Sequence, residues 1–353
     1  MPGARRHRIV AGTIVLLLSG LASGAPLAQD ARILANCAAP QRVAGSADTP
    51  PGAAPAATAT VTCEVRSPEP VVFKGVKASV KGRSEPLEVE FTGFDARNNS
   101  LVGIFMVQIM DAGRRSTMAQ MADAIVKIAE QRDGNRRLAA YSFANDLNVL
   151  ADFDASKRDF DRLVRAVRPV TLPSQLYKTS LEAIAKLAKE RGDRKALVIL
   201  GDGHTDEAAD EHDQVIRAAK DAGVTIHALG YLGEAADAPK FQSLRRLADD
   251  TGGFRREVRT SGAQKYTVSN QFVSEVLENG GSLKMTLKEP PGSVTVTITA
   301  TFADGRSASI DRSFTLAAPP GTPASPDRQQ QPSQGGGAPV SEPVVAWHRR
   351  LLA

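Results

Sequence analysis

The stretch LVGIFMVQIMD, Leu101 to Asp111, is apolar from 101 to 110 except at Gly103 and Gln108. A run of that length with no polar alternation is what a parallel strand covered on both faces requires. It ends in a carboxylate, Asp111, followed by the polar loop Ala112, Gly113, Arg114, Arg115, Ser116. Apolar residues at helical spacing come next, at Met118, Met121, Ala122, Ile125 and Ile128. A strand, an acid at its tip, a short loop and a helix form the usual ligand corner of an open α/β sheet.

Outward from this corner the same alternation repeats. Strands are predicted at Arg137–Phe143, Leu147–Phe153, Lys195–Leu200, Val224–Leu229 and Gly253–Val258. The stretches between and after them place apolar residues at three and four, as in Leu181, Ile184, Ala185, Ala188 and in Phe241, Leu244, Leu247, Ala248. Gly134, Gly192, Gly223 and Gly252 stand where helices should stop. The order predicts an α/β fold over residues 98–280, a doubly wound, mainly parallel sheet with helices on both faces.

Both flanks read differently. Residues 61–97 alternate through Val61, Cys63, Val65 and later Leu87, Val89, Phe91, and residues 281–316 do so through Val294, Val296, Ile298 with a turn at Asp304-Gly305. Three strands after 281 are few for an independent core, so the two flanks are expected to join in a small antiparallel β unit. Residues 29–60 are largely Ala, Pro, Gly and Thr, and 317–353 open as a Pro, Gly and Gln tract; neither can bury enough surface to fold alone, and the tail is expected to be disordered. Its last part, Val344 to Ala353, with Trp347 and two arginines, reads either as a frayed end or as a docking peptide.

Residues 1–28 have the form of an export signal: the basic GARRHR, the apolar run Ile9–Leu18 and small residues up to Ala28. The run is too short for a comfortable membrane span, so no span is expected in the mature chain. The full chain of 353 residues carries a formal charge of +5, and removal of the leader leaves 41 basic against 39 acidic residues. That balance gives no charge-based claim on nucleic acid. A periplasmic or secreted location follows, and in an oxidising compartment Cys37 and Cys63 most simply form a disulfide; two free thiols are the alternative. They lie too far from any histidine to suggest zinc.

Five stretches, LVGIFMVQIMD, SQLYKTSLEAIAKLA, RKALVILGDG, VTIHALGY and LADDTGGF, resemble in order and spacing a von Willebrand factor type A domain, over about residues 98–280. The resemblance implies a protein-binding module, many members of which hold Mg²⁺ at a metal-ion-dependent adhesion site on the C-terminal edge of the sheet. The family's oxygen donors map onto Asp111, Ser174 and Asp202. Its two loop serines are replaced by Gly113 and Arg115, which makes the site degenerate, although Ser116 restores a hydroxyl if one residue bulges out. Two arrangements follow. Either Mg²⁺ binds with reduced ligation, or Arg115 folds back on Asp111 and Asp202 and the ion is replaced by a salt bridge.

The stretch past Asp202 adds His204, Asp206, Asp210 and His212, residue types that can bind zinc or calcium; helix capping by Thr205 or Asp206 is the simpler role. His227, inside a predicted strand, reads as a core histidine. No G-x-S-x-G, phosphate loop or Cys and His pair is present. The expected function is therefore non-enzymatic: an exported protein that binds a protein partner in the cell envelope through Asp111, Gly113, Arg114, Arg115, Ser116, Ser174, Asp202 and His204. The competing readings are a scaffold with an inactive corner and a metal-dependent enzyme using His204 and His212.

Overall fold

The computed structural model of the chain describes residues 31–42, 57–109, 115–232, 239–259 and 269–317. The expected leader, most of the loop after Asp111 and the tail lie outside them.

The run that opens the α/β region forms strand β6 (Leu101–Gln108), buried at every position. It is central in a six-stranded sheet with β7 (Arg136–Phe143), β8 (Leu147–Ala151), β9 (Arg194–Gly201), β10 (Val224–Leu232) and β11 (Arg255–Arg259). The order across the sheet is β11-β10-β9-β6-β7-β8, parallel throughout except for β8 against β7. Leu101, Phe105 and Val107 of β6 face a core covered by α1 (Arg115–Ala129), α2 (Lys157–Arg165) and α6 (Asn270–Glu278). Val102, Ile104 and Met106 face the opposite core, under α3 (Leu176–Lys189), α4 (Glu211–Asp221) and α5 (Gln242–Thr251). This two-sided burial is the physical reason for the absence of polar alternation. From β6 the chain builds outward on one side through β7 and β8, then returns to β9 on the other, so the strand order reverses between β6 and β9.

The flanks form two antiparallel sheets packed face to face. One holds β1 (Leu34–Cys37) and β2 (Gln41–Arg42) on one edge of β3 (Ala57–Arg66), then β12 (Gly281–Glu289) and β5 (Val89–Gly93). The other is β4 (Phe73–Val80), β13 (Gly292–Phe302) and β14 (Ser307–Leu316). Val61, Cys63, Leu283 and Met285 meet Val76, Val296, Ile298 and Phe302 in a third core. The two flanks join as expected, β12 with β3 and β5 and β13 with β4, and their strands are shared between two sheets. Pro290-Pro291, between β12 and β13, has no N–H to continue a ladder and carries the chain across. β1 falls within the Ala- and Pro-rich stretch and holds its place by pairing with β3, where Cys37 faces Cys63 in register and the two form a disulfide. Among the described residues no helix is long and apolar enough to cross a membrane.

A buried charge cluster joins the sandwich to the parallel sheet. Glu64 of β3 accepts from Arg194 Nε (2.7 Å), at the start of β9, and pairs with Arg66 Nη2 (2.6 Å). Arg66 Nη1 donates to Thr225 Oγ1 (3.0 Å) at the start of β10. Arg194 Nη1 donates to the Leu277 carbonyl (2.6 Å), and its guanidinium lies 4.1 Å from the Phe94 ring centroid. Burial pushes Arg194 down to about 9. Burial alone would raise the Glu64 carboxyl, but Arg66 and Arg194 outweigh it and hold it below its ordinary value of 4.5. His227, the expected core histidine, is buried beside the cluster, and its Nδ1 accepts from Phe254 N–H (3.1 Å). Burial, reinforced by Arg66 and Arg194, holds it neutral, far below 6.5.

Replacing Glu64 with Ala leaves two guanidinium groups uncompensated and is expected to cost about 3–5 kcal/mol, read as a lower urea midpoint. Acid should also destabilise the fold. The unfolded chain protonates His227 near 6.5 while the folded chain does not, so stability falls as pH drops below that value. The slope from this residue is at most about 1.4 kcal/mol per pH unit and should vanish in His227→Gln. Glu64 adds a second loss as the pH falls below 4.5, because the unfolded chain takes up that proton at a higher pH than the folded chain does.

Candidate functional site

The crevice outside the carboxyl ends of β6 and β9 is the switch point of the sheet, where open α/β folds place ligands. Gln108, the last residue of β6 and the one amide in its apolar run, organises it. Gln108 Oε1 accepts from the Asp202 N–H (2.9 Å) and the Gly203 N–H (3.3 Å), just past β9. Its Nε2 donates to Ser174 Oγ (3.1 Å) and to the His204 carbonyl (3.0 Å). One amide thus ties the end of β6, the approach to α3 and the loop after β9.

The glycines around Asp202 are set by this contact. A Cβ on Gly201 would lie 2.1 Å from Gln108 Oε1. Gly203 turns with φ +85°, and a Cβ there would lie 2.6 Å from the Lys240 carbonyl. Asp202, 3% exposed, accepts from the His204 N–H through Oδ1 (2.9 Å), and Lys240 Nζ stands 4.0 Å from Oδ2.

The acidic stretch that follows braces Ser174 and α3. Asp206 Oδ2 accepts the Ser174 N–H (2.7 Å), and the Asp206 N–H donates to the Ser174 carbonyl (2.9 Å). Glu207 accepts from the Tyr177 N–H (2.5 Å) and the Lys178 N–H (2.7 Å), capping α3, whose own N-cap residue Gln175 makes no side-chain cap bond. The Ser174 N–H donated to the Asp206 carboxylate keeps that carboxyl below the ordinary value, with His204 contributing.

Of the sequence-predicted residues, Ser174, Asp202 and His204 are brought together through Gln108. Arg115 opens α1 and Ser116 follows it, both exposed. Asp111, Gly113 and Arg114 lie outside the described residues. Capping of the next helix by Thr205 or Asp206 is corrected: α4 begins at Glu211, its N-cap Asp210 makes no side-chain cap bond, and the acids before it reach back to α3. His204 and His212 do not form one site. His204 Nε2 faces Asp206 Oδ1 (3.2 Å), whereas His212 is buried edge-on to Tyr177, with ring centroids 5.9 Å apart. Among the described residues no three of His, Cys, Asp and Glu are grouped to hold a metal.

Sequence reasoning missed three participants. Gln108 carried a signal, as an isolated amide in an apolar strand. Glu207 had only its place in an acid run, and Lys240 had none.

The described residues fit the family's cation poorly. They supply two of its oxygen donors, Ser174 and Asp202, and the serine hydroxyl is engaged by Gln108. An ammonium already stands beside the Asp202 carboxylate, and a divalent ion would have to share the crevice with it.

A doubly wound, mainly parallel sheet with an acid-bearing crevice at its switch point is the architecture of an α/β ligand-binding module. Residues 108–271 match the model of the von Willebrand factor type A domain family, and the chain carries a domain of that family. Similar solved structures include BatB, a conserved hypothetical protein from Bacteroides thetaiotaomicron, at 13% identity over 46% of this chain and 92% of that one, with a TM-score of 0.39. The three N-terminal domains of the type V pili tip protein Mfa5 from Porphyromonas gingivalis align at 10% identity over 82% of this chain and 78% of that one, with a TM-score of 0.39. A von Willebrand factor type A structure from Catenulispora acidiphila aligns at 11% identity over 82% and 73%, with a TM-score of 0.40. No curated protein matches the chain.

Gln108→Met, similar in volume but without the amide, strands buried partners in three segments. The expected cost is about 2–4 kcal/mol, with faster amide exchange at Asp202 and Gly203 than at β10.

Proposed function

We propose that this is an exported, non-enzymatic binding protein whose type A domain meets an acidic surface of a protein partner directly, without a bridging cation. The observation that carries the reading is Lys240 Nζ at 4.0 Å from Asp202 Oδ2, with a half-exposed side chain, in a corner where the family places a metal. Lys240 and His204 stand beside that carboxylate, and Asp111, Gly113, Arg114, Arg115, Ser116 and Ser174 complete the set of residues assigned to the binding surface from the sequence. A partner carboxylate gains charge-assisted hydrogen bonds there. Export is supported by the form of residues 1–28 and by the Cys37–Cys63 disulfide, which persists in an oxidising compartment.

The test uses poly-glutamate as the acidic probe, beside a thermal melt of the chelator-stripped protein. Binding of the probe should survive chelator, weaken with added salt as the Debye length shortens, and weaken in Lys240→Ala and Arg115→Ala. Millimolar Mg²⁺, Mn²⁺ or Ca²⁺ should leave the melting temperature unchanged. A cation-dependent rise, worth about 2.7 kcal/mol at a hundredfold excess over the dissociation constant, or binding abolished by chelator, would overturn the metal-free reading.

A further inference from the structure

An apolar groove of about 420 Å³ opens beside the neck between the sandwich and the parallel sheet. Its floor is aromatic and rigid: the Phe73 ring stacks on Phe91 with centroids 5.9 Å apart and meets Phe302 edge-on at 5.1 Å. Val72 on its lip is 72% exposed, the highest value for any large apolar side chain among the described residues. One rim is acidic, with Glu278 and the exposed Glu275 at the end of α6. Glu278 is paired with Arg136, and Glu275 accepts a hydrogen bond from Gln271 (2.7 Å). An apolar floor with an acidic rim takes a segment that offers an aromatic anchor beside cations.

We propose that the occupant is the chain's own segment Val344–Leu352, VVAWHRRLL, with Trp347 on the aromatic floor and Arg349 and Arg350 against Glu275 and Glu278. The segment offers what such a groove takes, a large aromatic and two positive charges within four residues. Its tether has the right length. The pairing of Phe302 with Phe73 places the groove near the start of β14, and the ten residues of β14 carry the chain about 33 Å away to Leu316. Thirty residues separate Ala317 from Trp347. A flexible chain of that length has an r.m.s. reach of about 30 Å, and local concentration is highest where reach and span match.

Trp347 is the single tryptophan of the chain, so its fluorescence reports the docking directly. In the full chain, emission excited where tyrosine does not absorb should be blue-shifted, and acrylamide should quench it several-fold less than in the denatured chain, independently of protein concentration. Val72→Glu and Glu275→Lys should each return quenching to the denatured value while leaving the melting temperature unchanged, since both side chains are exposed. Pairing Glu275→Arg with Arg350→Glu should restore shielding. A native Trp347 as accessible as in the denatured chain overturns the proposal. Shielding that survives Val72→Glu overturns the choice of groove, and shielding lost on dilution assigns the groove to the tail of a second copy instead.

Discussion

The contact between Glu64 and the two guanidinium groups of Arg66 and Arg194 fixes where the sandwich and the parallel sheet meet. Arg194 begins β9, Thr225 lies at the start of β10, and Leu277 closes α6, so the charges gather at the amino edge of the parallel sheet. Buried ion clusters add little net stability over an apolar substitute, because desolvation offsets most of their attraction. Their effect here is positional: an apolar patch would tolerate sliding, whereas a carboxylate held by two guanidinium groups accepts one register. With the amino edge occupied, the carboxyl edge, where Gln108 and Asp202 lie, faces away from the sandwich.

Much of the architecture was legible because it rests on local pattern. The apolar run of β6 and the three- and four-residue spacing of the helices each follow from what one element must bury, and together they specify the doubly wound sheet. What stayed hidden depends on contacts distant in sequence. β1 sits in an Ala- and Pro-rich stretch and holds its place by pairing with β3. Glu207 caps a helix that begins some thirty residues earlier, and Lys240 reaches Asp202 from beyond β10. The split into two sheets did leave a mark, Pro290-Pro291, whose consequence becomes clear only when both ladders are seen.

On the metal-free reading proposed above, the corner keeps the family's scaffold without its ion chemistry. Gly201 and Gly203 are small because Gln108 and the Lys240 backbone press against them, so those glycines answer to packing rather than to metal. A neutral amide that accepts from two backbone N–H groups and donates to a hydroxyl and a carbonyl holds the loops without any cation.

The two strands of the neck carry a consequence for the birth of the protein. Gly93 and Gly281 are paired, and a Cβ on Gly281 would collide with the Thr92 carbonyl, so the type A domain enters and leaves the sandwich through one narrow gate. Val61 of β3 pairs with Met285 of β12, more than two hundred residues later. On emerging from the ribosome, β3 therefore meets no β12 until the whole α/β domain has been made. Closing so long a loop at random is slow, but a folded insert with adjoining ends shortens it to the width of the gate. The two halves of the sandwich are thus brought together through the adjoining ends of the inserted domain.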